Sequence, residues 1–380
     1  MKILVTGAKG FVGRNLVETL KTIRDGKCKK YRFLNDVDIF ECDIDTLDEE
    51  LDKYVKCCDF VINLAGVNRP QNVEEFMQGN FGFTTILLDK LKSAKNKCPI
   101  LMSSSIQACL DNDYGKSKKA GEDYLIQYGK DNGVKTYIYR LPNVFGKWCR
   151  PNYNSAVATF CNNIANGLPI TINNRDTQLT LVYIDDVVDS FIKTINNEVV
   201  YDGEYCKVAT EHKATLGDIT DKLYNFKASR NSLDIANMSD PFEKKLYSTY
   251  LSYLSVNDFA YDLVSHCDNR GSFTEFIHTL NNGQVSVNVS KPHIIKGQHW
   301  HHTKCEKFLV VSGNGVIRFR KIGDDKVTEY FVSGYKLQVV DIPTGYTHNI
   351  ENLGDSDMVT IMWCNEVFDP ENPDTYFEEV

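Results

Sequence analysis

The run Lys2-Ile-Leu-Val-Thr6 passes straight into Gly7-Ala-Lys-Gly10-Phe-Val-Gly13, and this junction constrains the fold of the N-terminal half more than any other feature. An apolar strand that ends in glycines at this spacing, with Leu16 and Leu20 following at helical period, predicts a strand, a tight turn and a helix. The first two glycines let the backbone turn sharply and approach a pyrophosphate; the third lets helix and strand pack closely. The start of the helix then offers unpaired N–H groups and a positive dipole end to phosphates. Gly7, Lys9, Gly10, Phe11, Val12 and Gly13 are therefore candidate dinucleotide-binding residues.

The rest of the first half keeps this rhythm. Phe60–Leu64, Pro99–Met102 and Thr136–Tyr139 are short apolar runs without polar alternation, as in strands buried on both faces of a parallel sheet. Helical candidates such as Val12-Leu16-Leu20 and Phe83-Ile86-Leu87-Leu91 separate them, so a doubly wound α/β fold is expected. Beyond about residue 245 the texture changes. Gln284–Val289, Lys307–Val311, Val316–Arg320 and Met358–Trp363 are short strand-like runs divided by Gly and Asn/Asp turns, the pattern of an antiparallel sandwich or barrel. Between the two textures, Phe242–Leu254 reads as a connecting helix. A chain of 380 residues exceeds a single ordinary core, and the division drawn is 1–247 and 248–380.

Composition excludes some roles. A net charge of −8 argues against a nucleic-acid surface, and no apolar run approaches the ~18 residues needed to cross a bilayer. The first strand is expected to begin at Lys2, and no signal peptide is expected ahead of it. The twelve cysteines are scattered without a CxxC pair, as in an enzyme with reduced thiols, and a cytoplasmic location is expected.

Tyr114 and Lys118 stand four apart, on one face of a predicted helix. A nearby ammonium is expected to lower the phenol's pKa and make Tyr114 a usable acid. Alone, such a pair is ordinary on a helix surface; beside the glycine turn it becomes a catalytic candidate. Ser103-Ser104-Ser105 ends a predicted strand upstream and could hydrogen-bond a substrate carbonyl.

With Leu64-Ala65-Gly66, Arg140–Gly146 and Tyr183-Ile-Asp-Asp186, these residues resemble the extended short-chain dehydrogenase/reductase family. The resemblance implies a Rossmann-like domain in which Leu64, Ala65 and Gly66 follow the fourth strand beside the cofactor. It makes Tyr114 the general acid, and gives Lys118 to the nicotinamide ribose and to orienting Tyr114. Ser105 aligns best as the carbonyl-polarising serine, with Ser104 the alternative. Arg140, Asn143, Lys147 and Arg175 would face a nucleotide-sugar. The serines stand closer to Tyr114 in this sequence than in most members. For the cofactor, Arg32 near a possible second strand would accommodate a 2′-phosphate, whereas Asp43 at that strand's end would accept a 2′-hydroxyl. The strand register leaves the two open.

In the C-terminal third, His299-Trp-His301, Glu306 and His348 resemble the two cupin motifs, with Gly313, Pro343, Gly345 and Asn352 at supporting positions. Residues two apart on a strand share a face, so His299 and His301 can share an ion. Glu306 and His348 would converge on it from other strands of an all-β barrel. Three imidazoles and a carboxylate suit a divalent metal such as Fe²⁺, Mn²⁺, Ni²⁺ or, foremost here, Zn²⁺. His302 would point to the opposite face.

A reductase of this family fused to a metal cupin is similar to the bifunctional enzymes of capsular polysaccharide synthesis. That resemblance implies a UDP-linked 4-keto-6-deoxy-N-acetylhexosamine as substrate, epimerised at C3 by the cupin half. The other half would reduce its C4 ketone with NADPH, in a homodimer without nucleic-acid or membrane partners. The alternative is a UDP-sugar reductase or epimerase whose cupin only binds sugar or subunits.

Overall fold

The computed structural model describes all residues except 35, 71, 280–282 and 372. It divides into two compact units, Met1–Leu223 with Lys245–Leu254, and Tyr224–Lys244 with Ser255–Val380.

The first unit opens as its glycine turn requires: β1 (Lys2–Thr6), the turn, and α1 (Phe11–Arg24). Then come β2 (Asp38–Cys42), α2 (Asp48–Cys57) and β3 (Phe60–Asn63). A helical turn α3 (Glu74–Phe76) runs through a π-helical segment, Met77–Gly82, into α4 (Phe83–Ser93). The unit continues with β4 (Ile100–Ser105), α5 (Asp113–Asn132) and β5 (Thr136–Leu141). Beyond them lie β6 (Asn143–Phe145), α6 (Ala156–Ala165), β7 (Gln178–Tyr183), α7 (Ile184–Ile195), β8 (Tyr201–Asp202), β9 (Tyr205–Cys206) and β10 (His212–Thr215).

The main sheet has the order β2-β1-β3-β4-β5-β9-β8, parallel from β2 to β9. Its central strands are buried on both faces: Ile3 and Val5 join one apolar cluster with Leu16, Leu20 and Phe191, while Leu4 and Val61 join another with Leu87, Leu88 and Leu125. This is the doubly wound α/β architecture expected from the apolar runs. Two details differ. Leu64-Ala65-Gly66 follows the third strand rather than the fourth, because a single strand, β2, lies outside β1. That strand ends at Cys42, immediately before Asp43, and Arg32 sits apart in a short 3₁₀ turn, Arg32–Leu34.

The chain joins the units through α8 (Leu216–Ser232), β11 (Asp234–Ile235) and α9 (Pro241–Leu251), the last forming where a connecting helix was expected. A boundary drawn at 247/248 passes over one exchange. Residues 224–244 group with the second unit, where β11 pairs with β13, Asp234 opposite His278. The period of hydrophobicity in a helix cannot report such a pairing.

The second unit is built of β12 (Ser265–Asp268), β13 (Gly271–Thr279), β14 (Gly283–Ser290), β15 (Ile295–Trp300), β16 (Glu306–Ser312), β17 (Asn314–Lys321) and β18 (Val327–Ser333). It ends with β19 (Val339–Ile342), β20 (Tyr346–Asn352), β21 (Met358–Cys364) and β22 (Tyr376–Phe377). These form two sheets, β11-β13-β14-β21-β16-β19 with β12 on β13, and β18-β17-β20-β15-β22. Phe308, Val310, Val340 and Ile342 of the first share one core with Ile317, Phe319, Val332 and Ile350 of the second. Among the described residues the hydrogen bonding gives two sheets over a shared core rather than one closed barrel.

Candidate active sites

In the first unit, burial and close approach shape the glycine turn. Gly7 has a φ of +64°, and a Cβ there would lie 2.8 Å from Ala65 N. A Cβ at Gly13 would stand 2.0 Å from Gly7 O, so β1, α1 and the loop after β3 converge where only glycine fits. Thr6 Oγ1 donates to Asn63 Oδ1 at 2.7 Å and accepts from the N–H groups of Leu64 and Ala65, at 3.2 and 3.3 Å. Phe11 and Val12 open α1, whose N-terminus has Gly10 as its cap, no capping side chain and no acid in its first turn. Its free N–H groups and dipole are those a pyrophosphate requires.

The helix α5 starts cleanly because Asn112 Oδ1 accepts from Gly115 N at 2.7 Å. That start presents Tyr114 and Lys118 on one face, with Lys118 Nζ 5.8 Å from the Tyr114 ring centroid. Burial pulls the Lys118 ammonium down to about 8, with Glu122 opposing it. The expected direction for Tyr114 is reversed: burial raises its pKa, and the opposing influence is a hydrogen bond with Ser105, not the ammonium of Lys118. In a dry site the cost of forming a phenolate outweighs a cation that is itself poorly solvated.

The structure separates the two serines. Ser104 Oγ donates to Glu122 Oε1 at 2.5 Å, and Glu122 is fully buried. Arg140 grips the same carboxylate at 3.0 and 2.6 Å, donates to the Tyr205 hydroxyl at 2.8 Å and stacks on that ring at 3.6 Å. Ser104 and Arg140 are thus committed to an internal brace, which removes Arg140 from the set expected to face substrate; Ser105 is left beside Tyr114. Replacing Glu122 with Gln should cost about 3 kcal/mol of unfolding free energy in urea melts, since it leaves the Arg140 charge half-buried without its partner. An unchanged midpoint would refute the brace.

Of the other residues expected at a nucleotide-sugar, Lys147 pairs with Asp185 at 2.5 Å. Exposed Arg175 is held by Asp221 at 2.7 Å, and the exposed Asn143 amide donates to Thr180 O at 3.1 Å. Sequence reasoning missed Asn80. It lies buried in the π-helical segment, donates to Val67 O and Ser117 Oγ, both at 3.0 Å, and accepts from Val67 N at 2.9 Å. A Cβ on Gly66 would come within 2.7 Å of Asn80 Oδ1 and 2.9 Å of Lys118 Nζ, so Gly66, Asn80 and Lys118 meet at one point. A polar Asn flanked by Gly79 and Gly82 inside a helical pattern was the available signal.

In the second unit, His299 on β15 and His348 on β20 are direct partners across the strand pair. A register shift between Gly297 and His299, with Gln298 at a φ of +61°, bulges the strand there. Glu306 opens β16 in the other sheet. His299, His301, Glu306 and His348 each bring a ligand atom to a group whose members all lie within 4.8 Å of one another. His302 is exposed and packs edge-on against Trp300 and Tyr376, away from this group.

The donor set fits a divalent metal. His301 Nε2, Glu306 Oε2 and both ring nitrogens of His348 are buried without hydrogen-bond partners. Glu306 Oε2 approaches His301 Nε2 at 3.5 Å and His348 Nε2 at 3.3 Å, distances that an ion between them would relieve. His301 Nδ1 hydrogen-bonds the Asp374 carbonyl, which directs Nε2 inward. The Asp374 carboxylate accepts from the N–H groups of His302, Thr303 and Lys304, and so holds the ligand loop; the sequence carried no sign of this role. Burial and the two neighbouring imidazoles pull His299 down to about 4, the neutral state a ligand needs. Burial alone would raise Glu306, but His301 and His348 bring it to about 2. The group opens on a cavity of ≈ 940 Å³ that Lys296, Arg270, Lys304 and Phe308 also line.

A doubly wound sheet with this glycine turn and Tyr–Lys helix defines a nucleotide-dependent enzyme class. Residues 3–206 match the family model described as the NAD dependent epimerase/dehydratase family, and the chain belongs to that family. Residues 266–376 match the polysaccharide biosynthesis C-terminal domain.

The chain is 44 % identical over 376 residues to the UDP-2-acetamido-2,6-beta-L-arabino-hexul-4-ose reductase of Pseudomonas aeruginosa, covering 99 % of this chain and 98 % of that protein. Over the whole of both chains it is similar to the crystal structure of the capsular polysaccharide assembling protein CapF from Staphylococcus aureus, at 54 % identity and a TM-score of 0.93. The UDP-glucuronic acid 4-epimerase of Bacillus cereus shares the fold alone, at 21 % identity over 67 % of this chain and 96 % of that one, with a TM-score of 0.52.

Proposed function

We propose that this protein is a bifunctional nucleotide-sugar enzyme that inverts C3 of a UDP-linked 4-keto-6-deoxy-N-acetylhexosamine and then reduces its C4 ketone. The product would be UDP-2-acetamido-2,6-dideoxy-L-talose, on a route to capsular or O-antigen polysaccharide. The observation that carries this reading is the pairing of two dissimilar sites within one full-length likeness to a keto-sugar reductase. Ser105, Tyr114 and Lys118 meet in one unit, with Lys118 against Gly66 of the loop that packs on the glycine turn. Three imidazoles and a carboxylate with unpartnered atoms line a cavity in the other.

In the first unit a reduced nicotinamide supplies a hydride to C4 when bound. Ser105 Oγ hydrogen-bonds the C4 oxygen, and Tyr114 Oη gives it a proton as the carbonyl becomes an alcohol. The raised pKa keeps Tyr114 protonated until that moment, and the hydrogen bond with Ser105 favours the phenolate that follows, with Lys118 beside the ring. Asn80 holds the Val67 loop and Ser117 in place behind Lys118.

The second unit is read as a cupin, with His299, His301, Glu306 and His348 as the residues that would hold a divalent metal, Zn²⁺ foremost. A cation held there would supply electrostatic stabilisation of negative charge on the sugar's C4 oxygen. The ketone makes the C3 proton acidic, and return of a proton to the opposite face inverts the centre. Reduction removes the ketone and stops further exchange, which explains why the two activities would share a chain.

The test is solvent-deuterium incorporation into the UDP-keto-sugar by full-length, metal-loaded protein without nicotinamide. Deuterium should appear at C3, read by NMR. Reduction with no C3 exchange would overturn the epimerase assignment and favour a reductase with a non-catalytic second unit.

A further inference from the structure

Glu275 and His278 stand three apart on β13, a spacing that puts side chains on opposite faces of a regular strand. A register shift between Glu275 and Ile277 cancels this: Glu275 comes opposite Ser286 on β14, and His278 opposite Gln284. Residues directly opposite in an antiparallel pair share a face, and both Ser286 and Gln284 line the cavity of the metal candidates. The bulge therefore sets a carboxylate and an imidazole on the cavity side of one strand. Glu275 lines that cavity itself. In the sheet order β14 and β21 separate β13 from β16, the strand of Glu306, so Glu275 belongs to a different wall from the ligand group.

Nothing in the fold uses this pair fully. His278 Nε2 is buried without a hydrogen-bond partner, and Glu275 Oε2 lies 3.8 Å from it, beyond hydrogen-bond reach. The other carboxylates on the cavity wall are engaged. Arg270 holds Asp268 at 2.6 Å, Lys304 faces Glu366 at 3.8 Å, and Glu306 belongs to the ligand group. Among the described residues Glu275 has no lysine or arginine as ion-pair partner.

We propose that Glu275 is the base that removes the C3 proton, with His278 as the residue that positions its carboxylate. The proposal deepens the epimerase reading of the second unit and rests on it. The C3–H bond breaks, its proton goes to a Glu275 oxygen, and its electron pair moves into the C3–C4 bond and onto the C4 oxygen. A proton from water entering the cavity returns to C3 on the opposite face. Glu275 then gives its proton to water, which restores the carboxylate.

Deuterium uptake at C3 of the UDP-keto-sugar, measured with full-length, metal-loaded protein without nicotinamide, tests this. Glu275→Gln keeps the shape of the side chain and should slow exchange by about 10²–10⁴-fold, with metal content and melting temperature unchanged. Glu275→Asp keeps a carboxylate and should exchange faster than the Gln variant. His278→Gln should lower kcat by about tenfold or more at unchanged KM, because a displaced base costs rate rather than binding. Undiminished exchange by the Gln variant, or an Asp variant slower than it, overturns Glu275 as the base while the epimerase reading stands. A change in KM alone removes His278 from its role. If the parent protein exchanges nothing at C3, the epimerase reading falls and this assignment with it.

Discussion

Tyr114→Phe should abolish ketone reduction while leaving C3 exchange intact. The substitution removes one hydroxyl from a half-buried ring that otherwise keeps its packing on Phe76, with centroids 5.6 Å apart. The fold should survive. The lost general acid is worth about 10²–10⁴-fold in rate. Nicotinamide oxidation followed at 340 nm measures the loss, and deuterium uptake at C3 measures what remains. Retained reduction would remove Tyr114 from its role; joint loss of both activities in a folded variant would mean that the two steps share one site.

His301→Ala should release bound metal and lower the melting temperature of the second unit. His301 is 2 % exposed and its ring is aimed by the Asp374 carbonyl, so its loss opens the ligand set and unlinks the loop that Asp374 holds. Metal that binds only the folded state stabilises it by about 4 kcal/mol when free metal stands near a thousand times its dissociation constant. Chelation of the parent protein should reproduce most of that loss, and adding metal back should restore the parent but not the variant. Metal analysis after dialysis reads the first effect and calorimetry the second. A variant with undiminished metal content would refute the ligand assignment, whatever its stability.

These expectations differ in how they could be reached. The doubly wound sheet was legible because its strands are buried on both faces and therefore read as continuous apolar runs, as Phe60–Leu64 does. Tyr114 and Lys118 were legible because helix geometry converts a spacing of four into a shared face. The metal candidates followed from a strand period of two for His299 and His301, and from the cupin resemblance for Glu306 and His348.

Other assignments depended on partners distant in sequence, which local periodicity does not encode. Ser104 and Ser105 are neighbours in the chain. Glu122, itself gripped by Arg140, claims the first, and Tyr114 lies against the second. The direction of the Tyr114 pKa followed from burial, which a helical spacing does not report. Asn80 and Asp374 emerged as supports only when the loops they hold were in view.

Spacing along the chain thus specified which local faces and turns exist, because helix and strand periods are properties of neighbouring residues. Which buried charges pair, and whether Arg32 or Asp43 stands at the end of β2, came from long-range packing. The free energy of a buried carboxylate or ammonium depends on whatever the fold places against it.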